Sequence, residues 1–122
     1  MPNPVTWFEI IGNDPTRLQK FYGDVFRWKV GAPSSPELGN YSIVDHEGQG
    51  IGGGVGGAGQ EGGGPRTTIY IEVDDPDNYL AKVTEAGGRV LMPTMNVMEG
   101  VTIAMFADPE GNVLGLLKAN PS

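Results

Sequence analysis

Two four-residue runs carry the side chains best able to do chemistry: Trp7-Phe8-Glu9-Ile10 and, 63 positions later, Tyr70-Ile71-Glu72-Val73. Each places a carboxylate two residues after an aromatic ring. In a strand, alternate residues share a face. Trp7 therefore sides with Glu9, and Tyr70 with Glu72. Phe8, Ile10, Ile71 and Val73 take the opposite face, where they build a core. A ring offers a stacking surface, and a carboxylate receives a cationic or hydroxyl-bearing group. Two carboxylates brought close raise one another's proton affinity and form an acid/base pair. The plainer reading has the rings filling space and each glutamate bonded to neighbouring strands or solvent. As a test of the first reading, Glu9→Gln and Glu72→Gln should weaken binding of a cationic ligand.

The remaining candidates are weaker. His46 is the single histidine and falls in a turn, where a solvated side chain is the ordinary case. Arg66 suits either a salt bridge or an anionic ligand. Met92, Met95, Met98 and Met105 cluster in the second half, and methionine adapts to irregular apolar shapes. Gly48, Gly50 and Gly53 match a dinucleotide fingerprint, but that motif needs a helix N-terminus directly after it. Here more glycines and Pro65 follow, so nucleotide binding is rejected.

Composition narrows the classes further. The 122 residues argue for one domain, and the absence of Cys excludes disulfides and thiolate metal centres. A net charge of −7 argues against nucleic acid, which needs a basic face. No apolar run is long enough for a membrane span and MPNPVTWFEI has no signal pattern, so a cytoplasmic protein is expected. Of the 20 glycines, 11 lie in 48–64. The excess is local and does not signal disorder throughout.

The elements that must position these residues repeat. Residues 5–11 read as a strand. Asp14-Pro15 caps a helix whose apolar stripe is Leu18, Phe21, Tyr22, Val25 and Phe26. Strands follow at 28–30, 41–45 and 50–55. Glycine in the last of these permits close approach by another group, such as a ligand or a partner backbone. Residues 67–73 are again a strand, and Asp75-Pro76 caps a helix with Leu80, Val83 and Ala86, ended by Gly87-Gly88. Strands at 89–92, 101–107 and 112–118 close the chain. Residues 93–100 break strand periodicity and read as a loop, with Asn96 and Glu99 as its polar tips. Asp45-His46-Glu47-Gly48 and Asp108-Pro109-Glu110-Gly111 are matching turns, again 63 positions apart. The chain is thus an α+β domain over 1–122. Its two βαβββ modules, 1–56 and 66–122, are joined by a glycine-rich linker, 57–65.

With FEI…DPTRLQKFYGDVFRWKV in the first module, and IEVDDPDNYLAKVTEAGGRVL and FADPEGNVLGLL in the second, the whole chain resembles the vicinal oxygen chelate superfamily. That superfamily includes glyoxalases, extradiol dioxygenases and bleomycin-resistance proteins. The resemblance implies an incomplete, cup-shaped barrel and a homodimer, with residues 93–100 lying over the cup. It also implies a divalent metal held by residues of the first and last strand of each module. Carried over by position, those sites fall on Trp7, Gly52, Tyr70 and Gly115. Tryptophan is only a donor, neutral tyrosine is a poor ligand, and glycine has no side chain. No metal and no other cofactor are therefore expected. In the implied cup, Trp7, Glu9, Tyr70 and Glu72 become the ligand-binding residues. The expected role is binding of a small organic molecule, such as sequestration of a drug or metabolite. One alternative is an enzyme of lyase, isomerase or glyoxalase type, and another is a protein-interaction or regulatory subunit.

Overall fold

The computed structural model describes residues 2–36, 39–57 and 64–119. Its elements are β1 (Val5–Gly12), α1 (Pro15–Phe26), β2 (Lys29–Val30), β3 (Ser42–Asp45), β4 (Gly52–Gly57), β5 (Arg66–Val73), α2 (Pro76–Glu85), β6 (Arg89–Met98), β7 (Val101–Ala107) and β8 (Val113–Lys118). None of the described helices is long and apolar enough to cross a membrane. The architecture is α+β, and βαβββ occurs twice. Two compact units carry it, one formed by Trp7–Thr68 and the other by the chain from Ile69 onward together with the residues before Trp7. Gly57 closes β4, and residues 58–63 of the expected linker lie outside the described residues.

In the first unit the strand order is β2-β3-β4-β1. β1 runs parallel to β4, with Trp7 beside Gly52, Glu9 beside Gly54 and Ile11 beside Gly56. Parallel neighbours in register share a face, so this face is glycine along β4. The opposite face receives α1. Asp14 caps that helix by accepting the Arg17 N–H at 3.1 Å. Gln19 Nε2 donates to the carbonyls of Asn40 (2.7 Å) and Val55 (2.9 Å), tying the helix to β4. Tyr22 stacks on Trp28 with centroids 5.1 Å apart, and Trp28 meets Phe8 at 5.3 Å. The apolar stripe of α1 is only partly used, because Phe21, Val25 and Phe26 are more than half exposed. The strand under the helix offers glycine in place of interdigitating side chains, so the helix buries just the part that meets Phe8, Trp28 and Gly12.

The second unit repeats the topology as β6-β7-β8-β5, with β5 parallel to β8. Its core is Val73, Leu80, Ala104, Phe106 and Leu116, with Ile71, Tyr79, Val83 and Leu114 packed around them. Asp75 caps α2, and Gly87 follows it with φ +99°, a left-handed conformation that suits glycine at a helix end.

The loop expected over 93–100 is instead mostly strand. β6 continues to Met98, paired antiparallel to β7 through Met98 and Val101. Register shifts between Val90 and Met92, Met92 and Met95, and Asn96 and Met98 absorb the broken alternation. Pro93 is tolerated because β6 is the edge strand of its unit, where one side needs no donor. Asn96 is not a free tip: its Nδ2 lies 3.3 Å from both the Val101 carbonyl and the Thr102 hydroxyl. Glu99 and Gly100 form the hairpin turn.

Candidate functional site

The site residues of the first unit rest on the glycines of β4. Trp7 stands beside Gly52. A Cβ placed on Gly52 would sit 3.1 Å from Trp7 Cζ3 and 3.2 Å from His46 Cδ2. The indole and the imidazole therefore converge over this glycine. Trp7 Nε1–H donates to Tyr41 Oη at 2.9 Å, which fixes the ring's orientation. The Tyr41 ring covers Gly54, where a Cβ would overlap it, and comes within 2.8 Å of a Cβ placed on Gly56. On the helix side, the Phe8 ring occupies the corresponding space over Gly53. The run of glycines thus admits the chain's own aromatic rings from both faces, not a ligand or a partner backbone.

Glu9, two residues beyond Trp7, lies with one carboxylate oxygen 3.8 Å from Arg66 Nη2. Its side chain is 13 % exposed against 46 % for Arg66. The carboxylate is therefore the inner partner and the guanidinium the outer one. At 3.8 Å the contact is coulombic and too long for a hydrogen bond. In the turn beside Trp7, Glu47 pairs with Lys29, and this holds the Lys29 ammonium's pKa above its ordinary value. Glu47 N–H is anchored on Asp45 Oδ1 at 2.9 Å.

In the second unit, Tyr70 stands beside Gly115 and Glu72 beside Leu117. A Cβ on Gly115 would overlap the Tyr70 ring and lie 3.0 Å from its Cγ. Tyr70 is 5 % exposed, so this ring mainly fills space, whereas Trp7 is half-buried and keeps an accessible surface. Glu72 is half-buried, and its N–H donates to the Pro4 carbonyl at 2.8 Å. The matching turn is rigid: the Asp108 carboxylate accepts from the Asn112 side chain (2.8 Å) and from the Asn112 and Glu110 N–H groups (2.9 Å each). The Asn112 side chain, ahead of the backbone donors, holds the Asp108 pKa below its ordinary value.

Each expected aromatic–carboxylate pair is therefore gathered on one strand face of its own unit. Two residues that strand alternation had not singled out join the first pair. Tyr41 precedes β3, and because Ser42 and Val44 are buried toward the helix, Tyr41 falls on the Trp7 side. Alternation in YSIVD, set beside a glycine strand, is the signal that could have found it. His46 entered as a solvated turn residue, and only the fold brings it beside Trp7.

The positions where the resemblance implies metal ligands do not fit a metal. Trp7 and Tyr70 provide rings, Gly52 and Gly115 provide none, and a longer side chain at either glycine would run into the ring beside it. Among the described residues, His, Cys, Asp and Glu nowhere gather in threes as a metal would need.

Comparison with known proteins places this geometry in a family. The model of the glyoxalase-like domain matches residues 8–117. CFP32 of Mycobacterium bovis, which bears a glyoxylase name, is 30% identical over 117 residues, covering 93% of this chain and 45% of that protein. The anthracycline biosynthesis protein DnrV of Streptomyces peucetius is 28% identical over 123 residues, covering 90% of this chain and 45% of that protein. The chain thus spans about half the length of the curated relatives it matches. Among solved structures, the methylmalonyl-CoA epimerase of Mycobacterium tuberculosis superposes with a TM-score of 0.73 at 13% identity, covering 96% of this chain and 88% of the epimerase. Protein BH1468 of Bacillus halodurans superposes with a TM-score of 0.77 at 13% identity, covering 100% of this chain and 98% of that one. At such identities the structural likeness concerns the fold. Together with the family match, it makes this chain a member of the glyoxalase-like family within the vicinal oxygen chelate superfamily.

Proposed function

We propose that this chain is a metal-independent binding protein for small organic molecules. The strand faces that carry Trp7 and Glu9 in one module, and Tyr70 and Glu72 in the other, serve ligand binding. The observation that carries the reading is the aromatic ring seated against glycine at all four implied ligand positions, Trp7 on Gly52 and Tyr70 on Gly115. A ring in that place excludes a carboxylate ligand sterically, and at Trp7, which stays partly accessible, it offers a stacking surface in exchange. The relatives named for anthracycline biosynthesis support a polycyclic aromatic ligand. Sequestration needs no further chemistry, and Tyr70 is too buried to act as a reacting group without movement. Phe21, Val25 and Phe26, exposed on α1, support a homodimer.

The test is a binding panel of planar aromatic compounds, read by Trp7 fluorescence in a Trp28→Phe background. Each compound is titrated with and without a chelator. Binding that is unchanged by chelator is expected. Binding that appears only after a divalent metal is added, or no binding across the panel, would refute the proposal. Turnover of a bound compound, abolished by Glu9→Gln or Glu72→Gln, would favour an enzyme instead.

A further inference from the structure

The glutamates by themselves suggest a cationic ligand, but the geometry around Glu9 points the other way. We infer that the face carrying Trp7 and Arg66 recognises the acidic group of a planar aromatic ligand, with Arg66 as its anion-binding residue. The inference rests on the small-molecule reading above and names the class of molecule.

Three observations carry it. First, the Trp7 indole is held by Tyr41 Oη at 2.9 Å and by its seat over Gly52, yet it stays partly accessible. An oriented ring is a stacking platform at small entropic cost. Second, Glu9 is buried beneath Arg66, so the charge this pair presents outward is positive. The Glu9 oxygen at 3.8 Å is too far from Arg66 Nη2 for a hydrogen bond between these two groups, and no other carboxylate pairs with Arg66 among the described residues. The five guanidinium donors can therefore receive a carboxylate or phenolate edge-on. Third, Thr68 shares the Arg66 side of β5, and its buried hydroxyl has no hydrogen-bond partner among the described residues. At 2 % exposure it is a polar group on that side of the strand that the fold leaves unpaired. Residues two apart on a strand are separated by roughly 7 Å. A bicyclic ring stacked on Trp7 spans about that distance to bring a carboxylate to the guanidinium beside Glu9. The net charge of −7 opposes an anion only at long range, and about 0.15 M salt screens that field beyond about 8 Å.

Three probes that share one ring separate the charge classes: 2-naphthoate, 2-naphthalenemethanol and 2-naphthylmethylammonium. Calorimetric titration of the full chain at neutral pH and about 0.15 M salt should find naphthoate tightest, by about tenfold over the alcohol. Arg66→Gln should erase that advantage and leave the alcohol unchanged. Arg66 is exposed, so this variant folds. Glu9→Gln, which removes the opposing carboxylate, should tighten naphthoate. Tightest binding of the ammonium, naphthoate binding indifferent to Arg66→Gln, or binding of none of the three would overturn the inference. Alcohol or ammonium binding without a naphthoate preference would leave the small-molecule reading standing. A metal requirement would instead sink that reading while leaving the charge order to be read.

Discussion

Gly115→Ala tests the ring-on-glycine account at the tighter of the two glycines that stand at implied ligand positions, Gly52 and Gly115. The added methyl would overlap the Tyr70 ring, and Tyr70 is 5 % exposed on the neighbouring strand, with little room to withdraw. Overpacking a buried site by one carbon costs typically 1–3 kcal/mol. Alanine would otherwise be favoured over glycine in a strand by roughly 0.5–1 kcal/mol, so the sign alone is informative. We expect a net destabilisation of about 1–2 kcal/mol in urea unfolding, with the m-value unchanged. Tyr70→Ala alone should cost about 3–5 kcal/mol through the cavity it leaves. In the double variant the methyl enters that cavity, so the two changes should cost less than their sum by at least about 1 kcal/mol. Gly52→Ala should be milder, about 1 kcal/mol or less. Its Cβ would meet Trp7 at 3.1 Å and the exposed His46 at 3.2 Å, and the histidine can yield. A Gly115→Ala protein as stable as the parent, or strictly additive effects with Tyr70→Ala, would refute the reasoning.

Three further outcomes follow from particular contacts. Asp14→Ala removes the acceptor of the Arg17 N–H and should cost about 1 kcal/mol by urea unfolding, since α1 loses its cap. Ser42 is fully buried with a hydroxyl that has no hydrogen-bond partner among the described residues, so Ser42→Ala should be neutral or stabilising by up to about 1 kcal/mol in the same assay. Asp108 has a lowered pKa, so its contribution to stability is present above the 3.8 of an unperturbed aspartate and is lost as pH falls through its lower folded value. A carboxyl NMR titration should find its midpoint below 3.8, and Asn112→Ala should move that midpoint upward.

Much of the fold was legible because local chemistry and global topology agree. Both Asp-Pro caps start helices, the strand–turn landmarks repeat 63 positions apart, and both modules have the same strand order. Legibility ended where tertiary packing overrides pattern. The stripe on α1 reads as a core face, yet Phe21 and Phe26 are exposed because β4 offers backbone in place of side chains. The strand 89–98 loses its alternation to bulges, which periodicity cannot distinguish from a loop. In the site, strand alternation identified the aromatic–carboxylate pairs on one face each. Alternation within one strand did not join Tyr41 or His46 to Trp7, or Arg66 to Glu9, because those residues lie 34, 39 and 57 positions apart. The Glu9–Arg66 pair also changes the charge presented, which is why the ligand class we infer differs from the one that the glutamates alone suggest.

The most direct test of the central claim is the metal content of the protein, expressed in medium supplemented with zinc, nickel, cobalt and manganese and purified without chelator. With Trp7, Gly52, Tyr70 and Gly115 at the implied ligand positions, mass spectrometry should find every metal far below one ion per chain. One tightly held ion per chain, lost together with ligand binding on chelation, would contradict the account.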